Sequence, residues 1–526
     1  MKSGEIAHSV SRGAFYLAIE KIAALFSGIA YFALLLRWLG PTKYGIMTLA
    51  LSFAGLATMA TGNFEMYLER YAAEYQSRHA LGTLRRAHLM ALALKLGLGV
   101  LAAVLMLVMA PVLARQFRIP ELAMLMPLLT FMVAFDGLST TGRAALYGMQ
   151  RFRSVSFVAI AFHVVKTLMV GALWSARQGL PGLAIGLALL TVAQGAVSTA
   201  LPLWILRRAT DAAPESEVAG ARGLLRSILR YCTPLLGARL TFLSGQNLGK
   251  VVLGKLFDSA QLGYFSFAFQ TMERFAEVVH TLPASLLPSL THLVARGERD
   301  RLRHVFDQSF RLIQVTGCVL SVGVFIFARE ITLLVGSPLF EPAIPLLRLM
   351  ALVPIARTAQ QPLTMLFQAL RRPGTVFALA VIKFVAEFSC YFTLVPALGM
   401  IGAGWANLVG AVVSYVVAMA LLARAMPEDA RERGRVVGMA LAFSVPLLVI
   451  GWALDRGAPF GWSFAARLTL LPAAIVALFM MQLVRRYDLE KLAALELRTA
   501  WMRGPRDGFL VAAGWLERSL GPRSAV

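Results

Sequence analysis

The sequence predicts an all-α integral membrane protein with about fourteen transmembrane helices. Of its 526 residues, 58% are hydrophobic and 15% are charged, whereas about 25% of a soluble chain is charged. The mean hydropathy is +0.68. A membrane-spanning helix needs about 20 apolar residues, so about fourteen helices account for most of the hydrophobic share. Because the apolar runs are continuous and do not alternate over about ten residues, they exclude a membrane β-barrel.

Fourteen apolar runs, each bounded by charged residues, glycine or proline, are the predicted spans. The first six cover residues 15–38, 44–68, 89–113, 122–146, 155–176 and 180–205. The next six cover residues 229–253, 262–293, 310–327, 343–370, 376–398 and 401–422, and the last two cover 436–454 and 464–483.

The distribution of basic residues predicts the orientation. Lys and Arg are more frequent in the even-numbered connections and near the N-terminus than in the odd-numbered connections, so both termini are expected in the cytoplasm. The formal net charge is +23, and most of the basic residues fall in short loops between spans. This placement favours anionic inner-leaflet lipids as a partner, and we expect no nucleic acid.

An internal repeat relates two parts of the chain. A shift of 218 residues aligns residues 39–45 with 257–263 and places Thr48 over Ser266. A shift of 220 residues aligns Arg151 with Arg371. Each shift contains six spans, an even number, so both copies should enter the membrane in the same direction.

The repeat predicts two pseudo-symmetric lobes of six helices, related by an axis along the membrane normal. Residues 1–209 form the predicted N-terminal lobe, 210–223 a cytoplasmic linker, 224–426 the C-terminal lobe and 427–486 two further helices. Residues 487–526 form a predicted cytoplasmic tail, and either an amphipathic helix on the inner leaflet or a solvated segment fits its composition.

Charged residues inside the spans define the candidate site, because each costs roughly 2.5–3.5 kcal/mol at mid-membrane on insertion scales. Span eight carries a polar face with Gln270, Glu273 and Glu277, and span ten a similar face beginning at Arg357. Such faces need a water-filled cavity or a protein partner.

A cavity role is expected for Lys21, Arg239 and Arg274, because the first two occupy equivalent repeat positions. Pairing within the protein is the alternative. We expect such pairing for Lys383 with Glu387, which lie four residues apart, and we expect Lys95 to extend its amine towards the inner membrane surface.

The sequence contains no recognisable catalytic motif. The sequence has no Asp-x-Asp motif, because no two aspartates are separated by a single residue. The seven histidines form no i, i+4 zinc pair, and no serine lies in a Gly-x-Ser-x-Gly turn. The three cysteines lack disulfide or metal spacing. We therefore expect no enzyme activity, no cofactor and no metal.

The sequence resembles a known family over residues 1–486. The resemblance lies in the fourteen spans, the segment 39–45 after span one and its counterpart at 262–264. This family is the polysaccharide-transporter family, with its Wzx-type lipid-linked oligosaccharide flippases, of the multidrug/oligosaccharidyl-lipid/polysaccharide (MOP) exporter superfamily. The resemblance implies a fold like that of the MATE and MurJ transporters. It also implies a flippase that moves an undecaprenyl-diphosphate-linked oligosaccharide across the bacterial cytoplasmic membrane for surface polysaccharide assembly, by alternating access.

The resemblance also implies site residues, because spans one, two, seven and eight border the central cavity in this family. The residues expected to bind substrate are Lys21, Arg239, Arg274, Gln246 and Asn247, and those expected to bind a coupling ion are Glu20 and Glu273. The implied partners are the polyprenyl-diphosphate-linked glycan, a glycan polymerase and glycosyltransferases.

Three other functions stay open at this point. A lipid II flippase and a cation-coupled multidrug exporter belong to the same superfamily, although twelve spans are more usual for the exporter. A membrane glycan polymerase or ligase belongs to a different class and would be expected to carry a large outer loop with catalytic Arg or His, which the predicted loops are too short to supply.

Overall fold

The computed structural model describes residues 3–78, 80–212, 220–280 and 286–457, together with 467, 469 and 470. Within these residues the secondary structure is helical, with fifteen α-helices and no strand. Residues 213–219 of the predicted linker, most of span fourteen and the tail 487–526 lie outside the described residues.

The first seven helices are α1 (Ser3–Met59), α2 (Glu65–Ser77), α3 (Leu81–Phe117), α4 (Glu121–Gly148), α5 (Phe152–Ser175), α6 (Leu180–Ala212) and α7 (Ala221–Leu256). They are followed by α8 (Ser259–His280), α9 (Leu286–Arg296), α10 (Arg299–Ile326), α11 (Ala328–Ile331), α12 (Ile344–Met350), α13 (Val353–Ala369), α14 (Pro373–Ala425) and α15 (Ala430–Gly457). A π-helical turn, Thr332–Gly336, and a 3₁₀-helix, Pro338–Ala343, separate α11 from α12.

The two longest helices each contain a break at a glycine. Gly40 in α1 has φ 66° and is followed by Pro41, and Gly399 in α14 has φ 57°. Positive φ is accessible to glycine without a Cβ clash, and proline supplies no backbone N–H at the break. These breaks lie at the predicted junctions between spans one and two and between spans eleven and twelve.

Eight helices of the described residues are long and apolar enough to cross a membrane, or nine if the bent pair Pro338–Met350 and Val353–Ala369 is one span. Two of the eight segments contain 41 and 52 residues, about twice the length that a bilayer requires, and both include a glycine break. The chain is therefore a multi-pass membrane protein, while the number fourteen stays a prediction.

The chain forms two compact units. Unit 1 comprises residues 1–267, 332–343 and 388–403, and unit 2 comprises 268–331, 344–387 and 404–526. One apolar cluster of unit 1 includes Leu68 and Ile228, and one of unit 2 includes Phe306, Leu363 and Phe367. The lobe boundaries at residues 209 and 224, which were inferred from the repeat, stay a prediction.

The predicted offset of 218 residues appears in unit 1 as a reciprocal helix contact. A Cβ atom on Gly45 would overlap the carbonyl oxygen of Ser259, and a Cβ atom on Gly263 would overlap that of Pro41. One turn further along, Thr48 Oγ1 and Ser266 Oγ share a hydrogen bond of 3.0 Å. Gly45 contacts Ser259, the repeat equivalent of Pro41, and Gly263, the repeat equivalent of Gly45, contacts Pro41 in return. This reciprocity is what a local two-fold axis requires.

A second equivalence corrects the predicted offset of 220. The chain leaves α4 at Gln150 and α13 at Arg371, and both residues have φ 57°. In both turns the next amide donates to a carbonyl five residues earlier, Arg151 to Leu146 and Arg372 to Phe367, each at 2.9 Å. Arg151 therefore corresponds to Arg372, an offset of 221, because backbone hydrogen bonds rather than residue identity define the register.

Candidate functional site

A buried carboxylate joins α1 to α4 and α5 in unit 1. Glu20 is 3% exposed, and its Oε1 accepts a hydrogen bond of 2.9 Å from Arg143 Nη2. Its Oε2 accepts a second hydrogen bond of 3.1 Å from Ser156 Oγ. Both carboxylate oxygens are therefore satisfied, which offsets the cost of burying the charge.

A second ion pair lies on the same side of α4. Lys95 Nζ is 2.6 Å from Glu65 Oε2 and donates to Thr140 Oγ1 at 3.1 Å. The Lys95 side chain is 1% exposed, so the expectation that its amine reaches the membrane surface is wrong. Thr140 and Arg143 are one helical turn apart, and α4 thus supports both ion pairs.

Glu69 adds a third carboxylate to this region, on α2, outside the candidate spans. Burial and the neighbouring Glu65 raise the pKa of Glu69, whereas Arg143 lowers it. The polar cluster of unit 1 consequently contains carboxylates in unequal environments: Glu20 and Glu65 are in ion pairs, and Glu69 has a higher affinity for a proton than an exposed glutamate.

Two ion pairs of unit 2 involve charged residues of the predicted spans eight, ten and eleven. Arg357 on α13 binds Glu273 on α8 through both terminal guanidinium nitrogens, with Nη2 donating to Oε2 at 3.0 Å. Lys383 Nζ is 2.7 Å from Glu387 Oε1, and the Glu387 side chain is 2% exposed. The predicted pairing of Lys383 with Glu387 is confirmed.

Glycine in the second half of α14 makes room for the Glu387 side chain. A Cβ atom on Gly410 would lie 3.0 Å from Glu387 Cδ. A cavity of about 20 Å³ borders Arg357, Glu273 and Asn407, which is space for about one water molecule. The cavity beside the Arg357–Glu273 pair therefore leaves little room for solvent.

The structure places the predicted site residues in different environments. Lys21 is exposed, whereas Arg274 and Asn247 are partly buried, and the Asn247 amide lies 3.5 Å from where a Cβ of Gly55 would stand. Glu20 and Glu273 each bind an arginine, as described above. The side chains of Arg239 and Gln246 lie outside what the structure describes.

Sequence reasoning missed three partners of the buried charges. Arg143 is 123 residues from Glu20, and Lys95 on α3 and Glu65 on α2 lie on different helices, so no local spacing indicates either pair. Arg357 is 84 residues from Glu273. For Arg357 a signal existed, because it begins a polar face on a predicted span and an unpaired buried arginine is costly.

The comparisons with known proteins agree with this fold. The sequence model of a family described as "Polysaccharide biosynthesis protein" matches residues 34–344, more than half of the chain. The chain belongs to the polysaccharide biosynthesis protein family.

One curated relative of this family member is stage V sporulation protein B of Bacillus subtilis (strain 168). It is 25% identical over 229 residues, which are 43% of this chain and 42% of that protein. The chain thus matches less than half of the length of that relative.

Two solved structures share the fold. A multidrug resistance MATE family transporter of the MOP superfamily, in an inward-facing conformation, superposes with a TM-score of 0.60 at 14% identity, over 80% of this chain and 99% of that chain. The lipid II flippase MurJ, in an inward closed conformation, superposes with a TM-score of 0.61 at 13% identity, over 89% and 97%.

These findings confirm the predicted family and the MATE- and MurJ-like fold. The chain is therefore a polysaccharide biosynthesis family member that shares its fold with the MATE and MurJ transporters.

Proposed function

We propose that this protein is a transporter, a flippase that moves an undecaprenyl-diphosphate-linked oligosaccharide across the bacterial cytoplasmic membrane, by alternating access, for the assembly of a surface polysaccharide. The observation that carries the proposal is the match of residues 34–344 to the polysaccharide biosynthesis family. The buried, paired charges of the spanning helices support it, because intramembrane ionisable groups mark transport pathways.

Lys21, Arg239, Arg274, Gln246 and Asn247 are the proposed substrate-binding residues. Basic side chains attract a diphosphate, and amides hydrogen-bond to sugar hydroxyls or phosphate oxygens. Lys21 supports this role best, since its side chain is exposed although it lies within an apolar helix.

Glu20 and Glu273 are the proposed coupling-ion residues. Each carboxylate forms an ion pair with an arginine, Glu20 with Arg143 in unit 1 and Glu273 with Arg357 in unit 2. A proton or cation that neutralises the carboxylate removes the attraction and releases the guanidinium. In this proposal, ion binding changes which partner the arginine has, and the exchange biases one conformation over another.

The test is reconstitution of the purified full-length protein into proteoliposomes that contain the lipid-linked oligosaccharide. A membrane-impermeant glycosidase reports the fraction of glycan that reaches the outer face with time. We expect rapid equilibration with the wild-type protein, little with Lys21→Ala, and wild-type rates with Arg296→Ala, a matched change of an exposed basic residue.

Two parallel assays separate the rival functions. Faster movement of lipid II than of the oligosaccharide would identify a lipid II flippase, and counter-ion-driven efflux of a cationic dye would identify a drug exporter. Failure of the folded wild-type protein to move any lipid-linked glycan would contradict the proposal.

The proposed orientation in the inner membrane, with both termini in the cytoplasm, has its own test. In a variant without its native cysteines, Lys43→Cys and Asp258→Cys should react with an impermeant maleimide from outside, and Glu215→Cys only after permeabilisation. The reverse pattern would overturn the orientation without affecting the proposed substrate.

A further inference from the structure

A polar cavity of about 320 Å³ lies within unit 2 where α10 and α15 begin. This volume is at the lower end of the range of small-molecule sites, about 300–1,000 Å³. Both helices are candidate spans that begin here, so the cavity lies near a membrane–water boundary. Its position at the ends of spans separates it from the ion pairs described above.

Ion pairs hold the walls of the cavity in place. Arg433 on α15 is 2% exposed and donates to Asp307 on α10 at 2.6 Å, to Asp429 at 3.1 Å and to the Met426 carbonyl oxygen at 3.0 Å. This guanidinium fixes α10 to the start of α15. The cavity is consequently preorganised before any ligand enters.

The rim of the cavity is accessible. The side chain of Arg303 is 27% exposed and pairs with Asp300, whose side chain is 92% exposed. His304 lies beside them and shares a hydrogen bond of 3.1 Å with Gln308. Charged groups of both signs therefore stand at the mouth, on the first turns of α10.

The balance of charge decides the class of ligand. Four carboxylates and three guanidiniums line the cavity, with His304 beside them, and only two lining residues, Phe310 and Val436, are apolar. A purely anionic ligand would meet four like charges, and a purely cationic ligand would meet three. A zwitterion avoids both penalties, because each of its ends can lie against lining groups of opposite sign.

The identity of the cationic end follows from the kinds of side chain present. Carboxylates accept hydrogen bonds from a primary ammonium, whereas quaternary ammonium groups are recognised by aromatic cages. Among the described residues that line the cavity, Phe310 is the only Phe, Tyr or Trp, and it is 1% exposed. The cavity thus favours a primary ammonium over a choline group.

We propose that this cavity binds the zwitterionic headgroup of a membrane lipid that carries a phosphate and a primary ammonium, as in phosphatidylethanolamine. The first turns of two helices favour the phosphate, together with Arg303 and His304, and Asp300 and Glu432 favour the ammonium. A lipid is the source because the cavity lies at the ends of two spanning helices. This site is independent of the translocated substrate.

Native mass spectrometry of the full-length protein in non-ionic detergent tests the proposal. Phosphatidylethanolamine, phosphatidylcholine and phosphatidylglycerol with identical acyl chains are added separately. We expect the first to bind about tenfold more tightly than the other two, since one charge-assisted hydrogen bond accounts for at least a tenfold difference.

A pair of charge-neutral double variants locates the binding. Asp300→Asn/Arg303→Gln removes one charge of each sign from the rim and should weaken phosphatidylethanolamine binding about tenfold. Arg296→Gln/Glu298→Gln removes an equivalent surface pair that does not line the cavity and should leave binding unchanged. Equal loss in both variants would overturn the proposal.

A measurement on the wild-type protein does not depend on variants that fold poorly. Excess glycerophosphoethanolamine should displace bound phosphatidylethanolamine, because the headgroup alone fills the cavity. Absence of displacement, or equal binding of all three lipids, would place the contacts on the acyl chains and overturn the proposal. Tighter binding of the soluble compound than of the lipid would assign the cavity to a soluble phosphoamine and overturn the lipid source.

Discussion

Gly45→Ala is expected to destabilise the protein strongly, although alanine is a better helix former than glycine. The new methyl group would lie 2.9 Å from the backbone nitrogen of Gly263 and closer still to the carbonyl oxygen of Ser259. Both obstacles belong to backbone, which cannot rotate away as a side chain does. The second half of α1 must therefore separate from α8, and the hydrogen bond between Thr48 and Ser266 lengthens.

The magnitude follows from two opposing effects. Glycine to alanine in an unobstructed helix interior stabilises by about 0.5–1 kcal/mol, whereas forcing an extra methyl into packed surroundings costs about 1–3 kcal/mol or more. Gly97→Ala is the matched control, because a Cβ at Gly97 has no neighbour within 4 Å. The helix-propensity gain is common to both variants and cancels, so we expect them to differ by about 1–3 kcal/mol in the free energy of unfolding.

Unfolding of both variants in one detergent, followed by tryptophan fluorescence, measures the difference. Gly263→Ala should resemble Gly45→Ala, since the same helix contact opens from the other side. The double variant should cost less than the sum of the two, because the first displacement accommodates the second methyl group. If Gly45→Ala and Gly97→Ala were equally stable, the reciprocal contact would not be a close one.

Three further predictions concern the charged residues of unit 1. Glu20→Gln retains hydrogen-bonding capacity towards Arg143, so this variant should insert normally but lose ion-coupled flipping in proteoliposomes. Arg143→Ala should lower the free energy of unfolding by about 3–5 kcal/mol, because it leaves a buried carboxylate unpaired. If Arg143→Ala were as stable as the wild-type protein, the pairing would be contradicted. Lys95→Met should cost a similar amount, and the double variant Lys95→Met/Glu65→Leu should recover most of it in a double-mutant cycle. Lys21→Ala should stop flipping without lowering the melting temperature, because the lysine side chain is exposed; unchanged flipping would remove it from the mechanism.

Much of the fold could be predicted because it depends on local patterns. Apolar runs and the Gly-Pro pair at residues 40 and 41 are visible in consecutive residues of the sequence, and the break at Gly40 lies where two predicted spans meet. The offset of 218 was also predictable, since Gly45 and Gly263 are both required to be small by the same contact. The alignment of Arg151 with Arg372 was not predictable from the sequence, because the equivalent turns are defined by the backbone geometry at Gln150 and Arg371.

The site was predictable only where partners are near in sequence. Lys383 and Glu387 lie four residues apart on one helix, and their pairing followed from that spacing. The partners of Glu20 and Lys95 come from other helices, and hydropathy contains no information about which helices pack together. The prediction for Lys95 was wrong for this reason, because the partly buried carboxylate of Glu65 on α2 supplies the counter-charge and the amine does not extend to the membrane surface.

The reciprocal glycine contact has a consequence for the origin of the chain. A surface is self-complementary when each partner places the same small residue against the equivalent carbonyl of the other. A half-length ancestor with one such surface could therefore dimerise with a second copy of itself in parallel orientation. Fusion of two such genes would have required no new interface at this point. It would, however, have tied the two positions together, because enlarging either residue disturbs a contact that belongs to both.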